Sequence, residues 1–251
     1  MDLGLANKSV IVCGASRGIG RAIARAFVDE GSNIAICARA EDALQATAAE
    51  LCERGGKVCA QTADVSRPES LDSFLEAAKN TLGRVDVLVN NASALQSSDD
   101  EASWRASFDV DLMGTVRASN RVVPWLTEAG GGSIIHVSST AALEAAGAPA
   151  YSALKAALIS HSKNLAIDLA DVNIRVNTVA PGCIDFPGGH WDAIAKDDPE
   201  RYERVRASIP FGRLGTAEEV ANAVVFLASE RASWITGICL SVDGGQHRGN
   251  L

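Results

Sequence analysis

The chain is expected to fold as an α/β protein: a doubly wound parallel sheet with helices on both faces. Three observations predict this. Apolar runs of strand length alternate with helix-length segments along all 251 residues. The first such run, Ser9–Cys13, passes directly into the turn Gly14-Ala15-Ser16-Arg17-Gly18-Ile19-Gly20. Ile19, Ala22, Ile23, Ala26 and Phe27 then recur at helical spacing. Strand, glycine turn and helix in that order suit a dinucleotide, as in a Rossmann-type sheet. The glycines admit a pyrophosphate, and the helix N-terminus offers amides and a positive dipole end. The spacing is G-x-x-x-G-x-G, not the general G-x-G-x-x-G.

The later elements follow the same alternation. Strands are expected at Asn33–Cys37, Lys57–Gln61, Val85–Val89, Ser133–Val137, Ile174–Val179 and Ile238–Val242. Helices are expected over 41–54, 68–82, 103–128, 151–170 and 216–229. Gly130-Gly131-Gly132 reads as the turn before the fifth strand. No linker or repeat interrupts the chain, so residues 1–251 are read as a single dinucleotide-binding domain with the catalytic site built in. Residues 185–211 break the rhythm, with one amphipathic helix at 199–208. A long insertion at the C-terminal edge of such a sheet belongs over the ligand crevice, so this segment is expected to be a substrate lid.

The chemistry is expected at Tyr151-Ser152-Ala153-Leu154-Lys155. Residues four apart on a helix share one face. A lysine ammonium roughly 5 Å from a phenol, at an effective dielectric near 20, favours the phenolate by about 3 kcal/mol. Tyr151 and Lys155 together can then make a general acid/base for an alcohol–carbonyl couple. An upstream hydroxyl from Ser138-Ser139 could hold the substrate oxygen. By itself the Tyr/Lys spacing also fits a solvated helix face; the surrounding motifs are what favour chemistry. His136, His161 and His190 have no motif neighbours and are read as core or surface imidazoles.

Bulk properties exclude other classes. A 251-residue chain with 47% apolar residues can bury a full core. A net charge of −8 argues against nucleic-acid or anionic-membrane partners. The six cysteines show no C-x-x-C spacing, so neither a metal site nor a disulfide framework is implied. Cys13, Cys37 and Cys239 fall in expected buried strands. That usage suits a reducing, cytoplasmic setting. No signal segment and no run of 18 apolar residues is present.

Taken together, these motifs resemble the short-chain dehydrogenase/reductase family, and the resemblance covers nearly the whole chain. Gly14, Gly18 and Gly20 match its glycine motif, and Asn90-Asn91-Ala92-Ser93 matches its Asn-Asn-Ala-Gly with a terminal serine. Tyr151 and Lys155 match its Tyr-x-x-x-Lys, and Pro181-Gly182 its turn after the sixth strand. Asp243-Gly244-Gly245 looks like its C-terminal end. The resemblance implies hydride exchange between a nicotinamide and a ketone or secondary alcohol, with Ser139, Tyr151 and Lys155 catalytic. It places the cofactor on Gly14, Ser16, Arg17, Gly18, Ile19 and Gly20, and its adenosine half near Asp64, Val65, Asn91 and Ala92. Asp64 could instead be a strand-end cap. Tyr151, Lys155, Pro181, Gly182 and the backbone of Ile184 fall to the nicotinamide half. A homo-oligomer, tetramer or dimer, is implied through the two long helices and the last strand.

Charge argues for NADP(H) as the preferred cofactor, with NAD(H) possible. NAD-selective sites place a carboxylate after the second strand. Here Ala38 stands in that place, followed by Arg39. Arg17 and Arg39 are expected to clamp a 2′-phosphate from two sides.

Three departures from the family pattern stand out. Ser139 is second in its pair, yet one residue closer to Tyr151 than the family's serine; Ser138 fits the count but not the strand register. Ser139 is favoured, because loops absorb deletions more readily than strands. Asp111 replaces the family's asparagine near the lysine and is given a supporting catalytic role. Phe186 replaces a threonine after Pro181-Gly182 and could face substrate. The alternatives kept open are an NAD-dependent alcohol dehydrogenase of the same family and a cofactor-binding regulator without turnover.

Overall fold

The buried run Ser9–Cys13 forms β1, near the middle of a seven-stranded parallel sheet in a computed structural model that describes residues 2–145 and 147–249. The other strands are β2 (Asn33–Ala38), β3 (Val58–Thr62), β4 (Val87–Asn90), β5 (Gly132–Val137), β6 (Ile174–Pro181), β7 (Ile184–Asp185), β8 (Gly215–Thr216) and β9 (Cys239–Val242). The helices are α1 (Gly18–Asp29), α2 (Glu41–Glu53), α3 (Pro68–Leu82), α4 (Glu101–Ser107), α5 (Gly114–Glu128), α6 (Pro149–Asp168), α7 (His190–Asp197), α8 (Pro199–Ser208) and α9 (Ala217–Ala228). The large sheet runs β3-β2-β1-β4-β5-β6-β9, while β7 and β8 make a separate parallel pair.

Side chains alternate along β1 and so feed two cores. Val10 and Val12 pack with Ile23 and Phe27 of α1, Leu44 of α2 and Val224 of α9. Ile11 and Cys13 pack with Phe74 of α3 and Val122 of α5 on the opposite face. Burial on both faces is why the central strands read as continuous apolar runs rather than alternating ones. The sheet and its helix layers are the doubly wound Rossmann-type architecture expected. The order reverses between β1 and β4, and that switch point opens a crevice at the C-terminal ends of the strands.

The helix expected at 103–128 starts two residues earlier and is helical throughout, but not α-helical throughout. The segment 103–128 divides into α4, a π-helical stretch Phe108–Met113, and α5. The amide of Gly114 bonds the carbonyl of Asp109, five residues back. This single wider turn is too short to displace the periodicity of the α-helices on either side, so periodicity alone did not separate them. The helix expected at 151–170 starts two residues earlier, with Pro149 at its first turn, where a missing N–H costs nothing. Cys13 and Cys37 are buried as expected, whereas Cys239, on the edge strand β9, is only partly covered. Among the described residues no helix is long and apolar enough to cross a membrane.

Candidate active site

The glycine turn is built by contacts that a side chain would prevent. Gly14 has φ +82°, and a Cβ there would lie 2.7 Å from the Ala92 backbone. A Cβ on Gly20 would lie 2.0 Å from the Gly14 carbonyl oxygen. Asn91 Nδ2 donates to that same oxygen at 2.7 Å, which ties the end of β4 to the glycine turn. No side chain caps α1, so its first-turn amides face outward at the switch point. These are the features a dinucleotide pyrophosphate requires, and the residues present fit such a group.

A cleft of about 1270 Å³ runs along this edge of the sheet. It is lined by Gly14, Ser16, Arg17, Ile19 and Gly20, then by Arg39, Asp64, Val65, Asn91 and Ala92. Ser139, Tyr151, Lys155, Pro181, Gly182 and Ile184 line its other end. Two expected residues lie just off the lining. Gly18 packs under Phe186, whose ring atoms would stand 2.5 Å from a Cβ at Gly18. Asp111 is fully buried beneath Lys155.

The two arginines line the same cleft but have different partners. Arg17 Nη1 donates to the Gly188 carbonyl at 3.0 Å, so its head lies against the 185–211 segment. Arg39 stands near Asp64, whose ionised form it favours. Burial would push Asp64 up, but hydrogen bonds from the Ser66 hydroxyl and amide, with Arg39 and Arg67, hold it below the usual carboxylate range. Asp64 thus caps the turn after β3 while still facing the cleft.

At the other end, helix α6 carries Tyr151 in its first turn and Lys155 one turn later. Lys155 Nζ lies 5.7 Å from the Tyr151 ring centroid. The ammonium is buried and fixed on two sides. It donates to the Val137 carbonyl at 3.0 Å and forms an ion pair with Asp111 Oδ1 at 3.1 Å. Both side chains are almost completely buried, at 3% and 0% exposure. An ammonium has three N–H donors, so one remains for the cleft. The second carboxylate oxygen of Asp111 accepts from the Ala94 amide at 3.1 Å.

The serine pair divides its work as strand alternation requires. Ser138 is buried, and its hydroxyl donates to the Lys155 carbonyl at 2.8 Å. Ser139 is less buried, and its hydroxyl accepts from the Ala141 amide at 3.1 Å, leaving its own proton for a partner in the cleft. Below them His136 is buried neutral. Burial, then His161 and Lys155, brings it down to about 3. Its Nδ1 lies 2.6 Å from Ser162 Oγ and its Nε2 3.2 Å from Ser119 Oγ. Ser162 already accepts from Thr178, and Ser119 already donates to Thr115. Those partners assign the imidazole proton to Nε2. His161, half-buried, stacks on His136 at 5.8 Å, so His136 belongs to the core and His161 to its edge. His190, in contrast, lines the cleft.

Several lining residues were not singled out from the sequence. Leu95, Gln96, Glu144 and Gln246 surround the outer mouth, and Leu95 holds a left-handed φ of +50°. The departure Asn90-Asn91-Ala92-Ser93 was the available signal, because Ser93 Oγ accepts from the Leu95 amide. Cys183 also lines the cleft, and burial pushes its thiol up to about 11. Trp191, Arg201 and Val205 of the 185–211 segment close one side.

Comparison with known proteins matches this arrangement to enzymes. A family model described as enoyl-(acyl carrier protein) reductase matches residues 14–247. The isoepoxydon dehydrogenase of Penicillium expansum is 36% identical over 256 residues, covering 99% of this chain and 98% of that protein. Among solved structures, L-sorbose reductase from Gluconobacter frateurii, complexed with NADPH and L-sorbose, superposes with a TM-score of 0.91 at 35% identity. That match covers 99% of this chain and 100% of the other. A 7α-hydroxysteroid dehydrogenase complexed with NADH and a 7-oxo bile acid superposes with a TM-score of 0.90 at 33% identity, over 97% and 96% of the two chains.

Proposed function

The chain belongs to the short-chain dehydrogenase/reductase family of nicotinamide-dependent oxidoreductases acting on CH–OH and C=O groups, and from that premise we propose that it is an NADP(H)-preferring ketone reductase with Tyr151 as general acid/base. The observation that carries this reading is the convergence of Ser139, Tyr151 and Lys155 on one cleft wall, with Lys155 fixed by Asp111 and the Val137 carbonyl. The nicotinamide, when bound, supplies the two-electron exchange with the carbonyl carbon.

The protein positions and polarises. Ser139 donates its hydroxyl proton to the substrate oxygen and orients it. Tyr151 delivers a proton to that oxygen in reduction and takes it back in oxidation. The Lys155 ammonium sits beside the phenol, where it stabilises phenolate charge, and its remaining N–H would hold the nicotinamide ribose. Asp111 and the Val137 carbonyl prevent that ammonium from swinging away. Ser138 holds the helix backbone at Lys155 and is the structural serine of the pair.

Arg39, Asp64 and Val65 would hold the adenosine half, with Asn91 and Ala92 at the floor of the crevice. The absence of an acid at Ala38 and the presence of Arg39 support a 2′-phosphate there. Residues 185–211 form the lid, and the whole described chain acts as one dinucleotide-binding domain. Association into a dimer or tetramer through α5, α6 and β9 is part of the same reading, as is a cytoplasmic setting.

The test is reduced-nicotinamide absorbance with NADPH and NADH in parallel across ketones, quinones, sugars and acyl thioesters. Turnover with NADPH preferred is expected. Calorimetric binding of NADPH without turnover on any carbonyl class would instead favour a cofactor-binding regulator, and NADH preference would overturn the Arg39 argument.

A further inference from the structure

The 185–211 segment meets the glycine turn at two points. Phe186 lies on Gly18, and the Arg17 guanidinium holds the carbonyl of Gly188. Both partners belong to the turn that the fold reserves for phosphate. The Gly188 end is itself anchored: its amide donates to Asp192 Oδ2 at 2.9 Å, and Gly189 closes a tight turn onto the Phe186 carbonyl at 2.9 Å. Gly188 has φ +73°, and a Cβ at Gly189 would strike the Phe186 ring at 2.9 Å, so this stretch is shaped to lie flat on the turn.

Arg17 has no carboxylate within ion-pair distance among the described residues. A guanidinium carries five N–H donors in a rigid fork, and one edge can hold a carbonyl while another holds a phosphate. One of those donors is committed to Gly188. The head also borders the cleft, in a chain whose net charge is −8.

We propose that Arg17 is a positioning residue that ties the lid to a phosphate of the bound cofactor. One guanidinium N–H keeps the Gly188 carbonyl, and the remaining donors take the phosphate. Bound phosphate therefore fixes Gly188, and through it Phe186 and the start of α7, over the site. The coupling rests on the cofactor reading above but adds a consequence that reading lacks: the lid is ordered by phosphate through one side chain. A lysine keeps the charge but offers three donors on one compact, shorter-reaching nitrogen instead of a planar five-donor fork, so it should hold the two partners less well than arginine. The phosphate could be the 2′-phosphate or the pyrophosphate, and the ligands below separate them.

The lid supplies its own probe. Lys196, Arg201, Arg204 and Arg206 are exposed trypsin sites within α7 and α8. Cleavage rates at these four sites would be followed by mass spectrometry on the full chain. The ligands are NADP⁺, NAD⁺, 2′,5′-ADP and ADP, each held at saturation as judged by calorimetry for each variant. The wild type is expected to be protected at least fivefold by phosphate-bearing ligands. Arg17→Met, which has no donor, is expected to show less than twofold protection at the same saturation, and Arg17→Lys protection between that and the wild type. Protection by 2′,5′-ADP and NADP⁺ alone assigns the 2′-phosphate; equal protection by ADP and NAD⁺ assigns the pyrophosphate. Full protection in both Arg17 variants would overturn the coupling and leave the cofactor reading intact. Failure of every nucleotide to bind the wild type would overturn both.

Discussion

Asp111 carries a burial cost that Lys155 and the Ala94 amide offset. Its carboxylate is fully buried 3.1 Å from an equally buried ammonium. Removing one partner of such a pair leaves the other charge unpaired in a poorly polarisable interior, typically at about 3–5 kcal/mol. Asp111→Ala is therefore expected to lower stability by that order in urea unfolding. Asp111→Asn, which restores the family's residue type, should cost less, because its one amide oxygen can still accept from Lys155, although the bond from the Ala94 amide is then lost. Equal losses in the two variants would show that the negative charge, rather than an acceptor for Lys155, is what the site requires. The serines are a second residue-scale division. Ser138→Ala removes a buried bond to the Lys155 carbonyl and should cost about 1 kcal/mol of stability. Ser139→Ala should leave stability nearly unchanged and reduce turnover.

At the scale of elements, His136 joins β5 to α5 and α6 through Ser119 and Ser162. Its folded-state value, about 3, lies below the ordinary 6.5, so the unfolded chain binds the extra proton first. Stability from this group is complete above pH 6.5. It is lost as pH falls from 6.5 toward 3, at up to about 1.4 kcal/mol per pH unit. Urea midpoints measured between pH 7 and 4.5 should fall accordingly, and His136→Gln should flatten the slope. An unchanged slope would mean the imidazole is not buried neutral. Sequence reading reached these elements unevenly, for physical reasons. Ser9–Cys13 and 68–82 were legible to the residue, because a buried run ends at Gly14 and Pro68 opens a helix. The π segment was not, since one wider turn of six residues is too short to displace the helical pattern of its flanks. Helix α7 was missed because its residues look like irregular loop sequence beside three nearby glycine and proline residues, Pro187, Gly188 and Gly189. In the site, the motif residues were legible because glycine contacts and helical spacing are local. The Arg17–Gly188 contact was not, because its partners lie 171 residues apart and one of them is a backbone carbonyl.

Across the whole molecule, the sheet is continuous from β3 to β9, and the cleft draws residues from nearly every strand end. Ligand bound to the folded form alone should then stabilise the chain as one unit. At about 100 times its dissociation constant, NADPH is expected to add about 2.7 kcal/mol to unfolding, seen as a single shifted calorimetric transition. Two transitions, only one of which responds to NADPH, would contradict a single dinucleotide-binding domain. Gly20→Ala places a methyl 2.0 Å from the Gly14 carbonyl position and should abolish that shift by deforming the turn. The central claim is that Tyr151 transfers the proton. Its direct test compares Tyr151→Phe with wild type on whichever carbonyl substrate the wild type reduces, with NADPH affinity measured alongside. The account predicts turnover reduced by about 10²–10⁴ with cofactor affinity nearly unchanged; near-normal turnover in Tyr151→Phe would contradict it.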